Sequence, residues 1–84
     1  QKQMAEARKQ VAAAMADERR LQKQMDNEKH LAGEWQAKAK AALTAGREDL
    51  ANKAMQEVMD HEKMSEEYKT QWEQQKSSVE KLRA

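Results

Sequence analysis

Few residues in this chain have the chemistry to cut, transfer or coordinate anything. There are two histidines, His30 and His61, no cysteine, and fifteen Asp and Glu residues. If the chain folds back on itself, His61 comes near Ala32, two positions from His30, with Glu34 and Glu57 in the neighbourhood. Two imidazoles and two carboxylates form a conceivable ligand set for a divalent transition metal. The spacing argues against one: neither His-Glu-x-x-His nor a repeated Glu-x-x-His occurs. No metal or cofactor is expected, and His61 is assigned a polar role in setting helix register.

Glu18 and Glu28 are ten residues apart, or ~15 Å along a helix, too far to act as a glycosidase-like acid and base. They read as seam residues whose long side chains reach solvent. Pairing of Glu18 with Gln75, and of Glu28 with Ser65, is the sharper alternative, and it would penalise other registers. Arg19, Arg20 and Lys23, with Arg8 and Lys9 upstream, lack interleaved aromatics and are diluted by Asp17, Glu18 and Asp26. At a net charge of +1 this is the solvent face of a helix, and no nucleic acid is expected. Catalysis needs convergent groups in a pocket. Neither an enzyme nor a small-molecule substrate is expected.

The elements that carry these residues are helices. Pro, Cys and Phe are absent, Gly occurs twice, and 37% of the 84 residues are charged. Ala, Glu, Lys, Gln, Arg, Met and Leu dominate, the strong helix formers, and this mixture marks a coiled coil. In the first half, one heptad column holds Met4, Val11, Glu18, Met25, Ala32 and Ala39. A second holds Ala7, Ala14, Leu21, Glu28, Trp35 and Ala42. After Gly46 the frame restarts with Ala51, Val58, Ser65, Trp72 and Val79, and with Ala54, His61, Tyr68, Gln75 and Leu82.

A phase break at a glycine is what a chain reversal produces, because Gly adopts the left-handed conformation that ends a helix. Glu48 and Asp49 then open the next helix, where their charge suits its free N–H groups. The fold expected is all-α: one long antiparallel two-helix coiled-coil hairpin over 1–84. It has a helix over about 1–44, a turn over about 45–48 and a helix over about 49–84. Residues 1–45 carry a charge of +3 and residues 46–84 of −2, which suits two arms lying against each other. The alternative is one continuous helix, a spacer or stalk that dimerises in parallel.

Folded back, the arms are expected to pair residues whose numbers sum to about 93. Leu43 then meets Leu50, Trp35 meets Val58, Met25 meets Tyr68, and Leu21 meets Trp72. These eight are the expected core anchors, each worth roughly 1.5–3 kcal/mol when fully buried. Gly33 falls on the outer face. Met55 and Met59 form an apolar shoulder beyond the seam and, with Arg47 and Glu48 at the corner, are the candidate partner surface. The chain begins QKQMAEARKQ, without Met and already in helical pattern, and reads as a fragment of a longer helical protein. No run approaches a membrane span.

Residues 34–55, EWQAKAKAALTAGREDLANKAM, resemble the hairpin-tip signature of the phage-shock protein A family. That family includes the vesicle-inducing proteins of plastids and cyanobacteria and belongs to the ESCRT-III-like superfamily. Trp35, Ala39, Ala42, Leu43, Glu48, Asp49, Leu50, Ala51 and Ala54 fall on the pattern. Gly46 and Thr44 depart from it by making the tip less helical. The resemblance implies a stress effector on the cytoplasmic face of the bacterial inner membrane, self-assembling as the full-length protein. It also implies inhibitory binding of an AAA+ transcription activator, and contact with anionic membrane through an upstream amphipathic helix that these residues do not include.

Overall fold

The structure, a computed structural model, describes residues 2–84 as two helices and no strand. Helix α1 spans Lys2–Thr44 and α2 spans Glu48–Arg83. The helix expected from about residue 1 begins at Lys2 among the described residues; Gln1 lies outside them. The helices lie side by side in a rod of 68 × 14 × 13 Å. A single helix of 84 residues would be ~126 Å long, so the chain reverses. It is an antiparallel two-helix coiled-coil hairpin, and the continuous-helix alternative is excluded.

The reversal follows from the backbone groups that a helix end leaves open. Gly46 has φ +74°. Its N–H donates to the Leu43 carbonyl at 3.0 Å, and the Arg47 N–H donates to the Ala42 carbonyl at 2.8 Å. This pair of bonds is the Schellman closure. The Thr44 hydroxyl donates to the Lys40 carbonyl at 3.0 Å, so Thr44 stays in α1. Arg47 takes the N-cap position of α2 without a side-chain cap bond, and its carbonyl accepts the first helical bond, from Ala51 N–H at 3.0 Å.

The two columns of each arm form the seam, except at the open end, where Met4, Ala7 and Leu82 are exposed. Leu21, Met25, Glu28, Ala32 and Ala39 are buried on α1, and Ala51, Ala54, Val58, Ser65 and Val79 on α2. Alanines at 2–6% exposure make this a narrow, close contact rather than a broad core. The register differs from the expected one. Three cross-helix hydrogen bonds join 28 with 61, 25 with 65 and 14 with 75, so facing residues sum to 89 or 90 rather than 93. Both registers bring seam columns together. In the observed one Glu28 faces His61, whereas a sum of 93 would set it against Ser65 and leave His61 against Ala32. Buried polar groups without partners are costly, and the observed register gives Glu28, His61 and Ser65 theirs.

This shift of about one turn changes the anchors. Leu21, Met25 and Val58 are buried. Trp35, Tyr68 and Trp72 are half-buried. Leu43 and Leu50 are 60% and 44% exposed and are not core residues: the tight closure at Gly46 leaves both outside the seam. The buried residues nearest the turn are instead Ala39 and Ala51.

The two glycines provide a test of the turn. A Cβ on either Gly33 or Gly46 would meet nothing within 4 Å, so only backbone conformation separates them. Gly33→Ala is expected to stabilise the hairpin by up to about 1 kcal/mol. Gly46→Ala is expected to destabilise it by about 1–2 kcal/mol. Urea unfolding of the two variants beside the parent gives the signs; the reverse order would reject the left-handed closure.

Candidate interaction surface at the hairpin tip

The tip presents two different edges on either side of the seam. On α2 the seam residues Ala54 and Val58 are each preceded by a charged residue, Lys53 or Glu57, and followed by a methionine, Met55 or Met59. Successive helix positions are separated by 100°, so the preceding and following residues lie on opposite flanks. The first flank closes with α1 into a shallow apolar concavity floored by Trp35, Ala41, Ala42, Ala45, Leu50 and Ala54, with Lys38, Arg47 and Lys53 outnumbering one carboxylate, Glu57, on its rim beside Gln56. Lys38 Nζ lies 4.2 Å from the centre of the Trp35 ring, a cation–π contact.

The second flank is a stripe along α2: Glu48, Asn52, Met55, Met59, Glu62 and Glu66, spaced four and three residues apart as one helix face requires. Met55 is 44% exposed and Met59 61%. The candidate surface residues are therefore split: Arg47 belongs to the rim of the concavity, while Glu48, Met55 and Met59 belong to the acidic methionine stripe. Sequence reasoning assigned Trp35 to the core and missed the concavity. Its signal was present in Lys38, one turn from Trp35, and in the small residues Ala41, Ala42 and Ala45.

At the corner Arg47 forms a forked contact with Asp49, its Nε donating to Oδ1 and Nη2 to Oδ2, both at 3.3 Å. The guanidinium, and then the Leu50 backbone N–H, hold the Asp49 carboxyl below the ordinary carboxylate range against a small opposing effect of desolvation. Because the folded-state value is the lower one, this pairing favours the folded chain above the titration range of a free aspartate. The contribution is lost as pH falls through the depressed value. Arg47→Ala is expected to move the Asp49 midpoint upward, measured by carboxyl chemical shifts in an NMR titration. An unchanged midpoint would show that the pair does not persist in solution.

Deeper in the hairpin, His61 bridges the helices. Its Nδ1 lies 2.5 Å from Glu28 Oε2 and its Nε2 lies 3.7 Å from Glu57 Oε2. Glu28 is buried. His30 faces outward and pairs with Glu34 at 3.0 Å, so the two histidines do not converge. Among the described residues no three metal-ligating side chains form a group that could hold an ion. Glu28 therefore pairs with His61 rather than Ser65. The Ser65 hydroxyl donates to the Met25 carbonyl at 3.3 Å, and Gln75 Nε2 donates to the Ala14 carbonyl at 3.2 Å, not to Glu18.

Removing His61 would strand a buried carboxylate. His61→Leu alone is expected to cost about 3 kcal/mol, while the double change Glu28→Leu and His61→Leu recovers most of that loss. His30→Ala is expected to stay within about 0.5 kcal/mol of the parent. Chemical unfolding of the cycle checks this; additive single effects would contradict the pairing.

The profile of the PspA/IM30 family matches residues 1–84. The chain belongs to the PspA/IM30 family. Within it, the chain is 35% identical over 79 residues to the phage shock protein A homolog of Deinococcus radiodurans, covering 94% of this chain and 35% of that protein. It is 32% identical over 83 residues to the membrane-associated protein Vipp1 of Synechocystis sp., covering 99% of this chain and 31% of that protein. The chain thus spans about a third of the length of these PspA/IM30 relatives. No solved structure matches it at a significant level. Among the described residues no helix is long and apolar enough to cross a membrane.

Proposed function

We propose that this hairpin is a non-enzymatic strut of a membrane-stress scaffold, working through shape and surface rather than chemistry. What supports this reading is membership of the PspA/IM30 family together with a rod 68 Å long whose tip carries two unlike edges. One edge is an apolar concavity whose rim is net positive, Lys38, Arg47 and Lys53 against Glu57. The other is an apolar Met55/Met59 centre framed by Glu48, Glu62 and Glu66. Opposite charge around apolar centres suits one hairpin's concavity to the next hairpin's stripe. A head-to-tail contact of that kind propagates instead of closing on itself.

On this reading the full-length protein self-assembles with its hairpins side by side, at the cytoplasmic face of the inner membrane. Contact with anionic lipid is made by a segment outside these residues. The same tip offers a regulator a rigid docking face, and an AAA+ transcription activator is the proposed partner, bound in inhibition. The complementary tip edges carry the assembly reading. The resemblance of residues 34–55 to the family's tip signature motivates the activator reading.

Full-length protein carrying Leu50→Asp, or separately Met59→Asp, tests the assembly arm. Each variant is expected to remain helical by circular dichroism while its assembly threshold in light scattering rises by about tenfold or more. Normal assembly of both variants would overturn the edge-to-edge contact. For the activator arm, the isolated hairpin is expected to retain the activator without lipid, and retention only by the full-length protein would count against it.

A further inference from the structure

The seam is not uniform along its length. From the level of Leu21 and Tyr68 to that of Ala39 and Ala51, every seam layer contains a buried side chain, and His61 and Ser65 meet their polar partners. Toward the open end Val79 alone is buried among the described residues. The change comes at one layer. The register that joins 25 with 65 and 14 with 75 sets Glu18 opposite Trp72, and both are half-buried. Trp72 Nε1 is shielded from solvent and donates to nothing, so the carboxylate in the same layer does not accept from it. The neighbouring polar contact is Gln75 to the Ala14 carbonyl, a group within the α1 ladder.

An indole N–H desolvated without a partner bears the penalty of its lost water bond. It regains that bond when the layer opens. The Glu18 carboxylate also returns to full hydration on opening. No group at this layer is left worse hydrogen-bonded by separation, in contrast to the Glu28–His61 layer. Lys76 Nζ, 5.2 Å from the Trp72 ring centre, lies on α2 with Trp72 and moves with it.

We infer that the hairpin is a conformational device in two segments. A clamp from Leu21 and Tyr68 to Gly46 stays closed, and the helix pair beyond the Glu18–Trp72 layer separates as a unit while the clamp holds. Opening exposes the Trp72 indole, Val11 and Met15 and leaves both tip edges in place. The inference stands independently of the partners proposed above, because it concerns the half of the rod away from the tip.

Native-state hydrogen exchange on the 84-residue chain tests it. Amides of 8–17 and 73–79 are expected to share one opening reaction and to exchange at least about tenfold faster than those of 25–40 and 52–66, with a step at the Glu18–Trp72 layer. Simple fraying would also speed exchange near the ends, so Trp72→Phe supplies the decisive sign. That change keeps an aromatic ring and removes the orphan N–H. It is expected to slow exchange in the open-end segment by roughly fivefold or more and to leave the clamp unchanged. A smooth gradient from the chain ends without a step would overturn the inference. So would unchanged or faster open-end exchange in Trp72→Phe.

Discussion

The structure depends on one constraint: each helix carries a narrow apolar seam stripe, and among the described residues the other helix is what covers it. Helix propensity alone would make a rod of these residues, since nothing between Lys2 and Arg83 except Gly46 breaks the pattern. Gly46 breaks it because a left-handed residue there lets Arg47 and Gly46 satisfy the carbonyls of Ala42 and Leu43. Once the chain has turned, the alanines allow the helices to approach closely. The gain is spread over many small contacts rather than a few large ones.

With so little apolar volume in the seam, polar groups decide the register. A one-turn slip would still lay column against column, and alanine against alanine would lose little. Glu28 and His61 would lose each other, and an ionisable group stranded in the seam costs more than an alanine contact returns. The pair is thus better understood as a specificity device than as a source of stability, comparable in kind to a polar residue at one seam position of a parallel coiled coil. A strut that positions two unlike edges at its tip needs this: a slipped register would displace Trp35 relative to Leu50 and spoil the concavity.

Much of the fold was legible because heptad spacing is a strong signal. The columns through Leu21, Met25 and Val58 are buried as periodicity requires, and the frame restart located the turn at Gly46. The register was less legible. Facing Leu43 with Leu50 maximises apolar pairing near the turn, but hydrophobic matching takes no account of the geometry of a Schellman closure or of how a buried carboxylate is satisfied. The two edges were half legible. Met55 and Met59 stand out as apolar residues beyond the seam, whereas the concavity depends on both helices at once and on Trp35 being only half-buried, which no single-helix pattern reveals.

The central claim is that the chain doubles back at Gly46 with residues summing to about 90 side by side. Because the chain has no cysteine, the exposed positions Arg19 and Gln71 can be changed to cysteine and spin-labelled, and the intramolecular distance measured in a monomer. The hairpin predicts a separation set by the 14 Å width of the rod plus the label tethers. A distance near the ~78 Å that 1.5 Å per residue gives for an unbroken helix would contradict it.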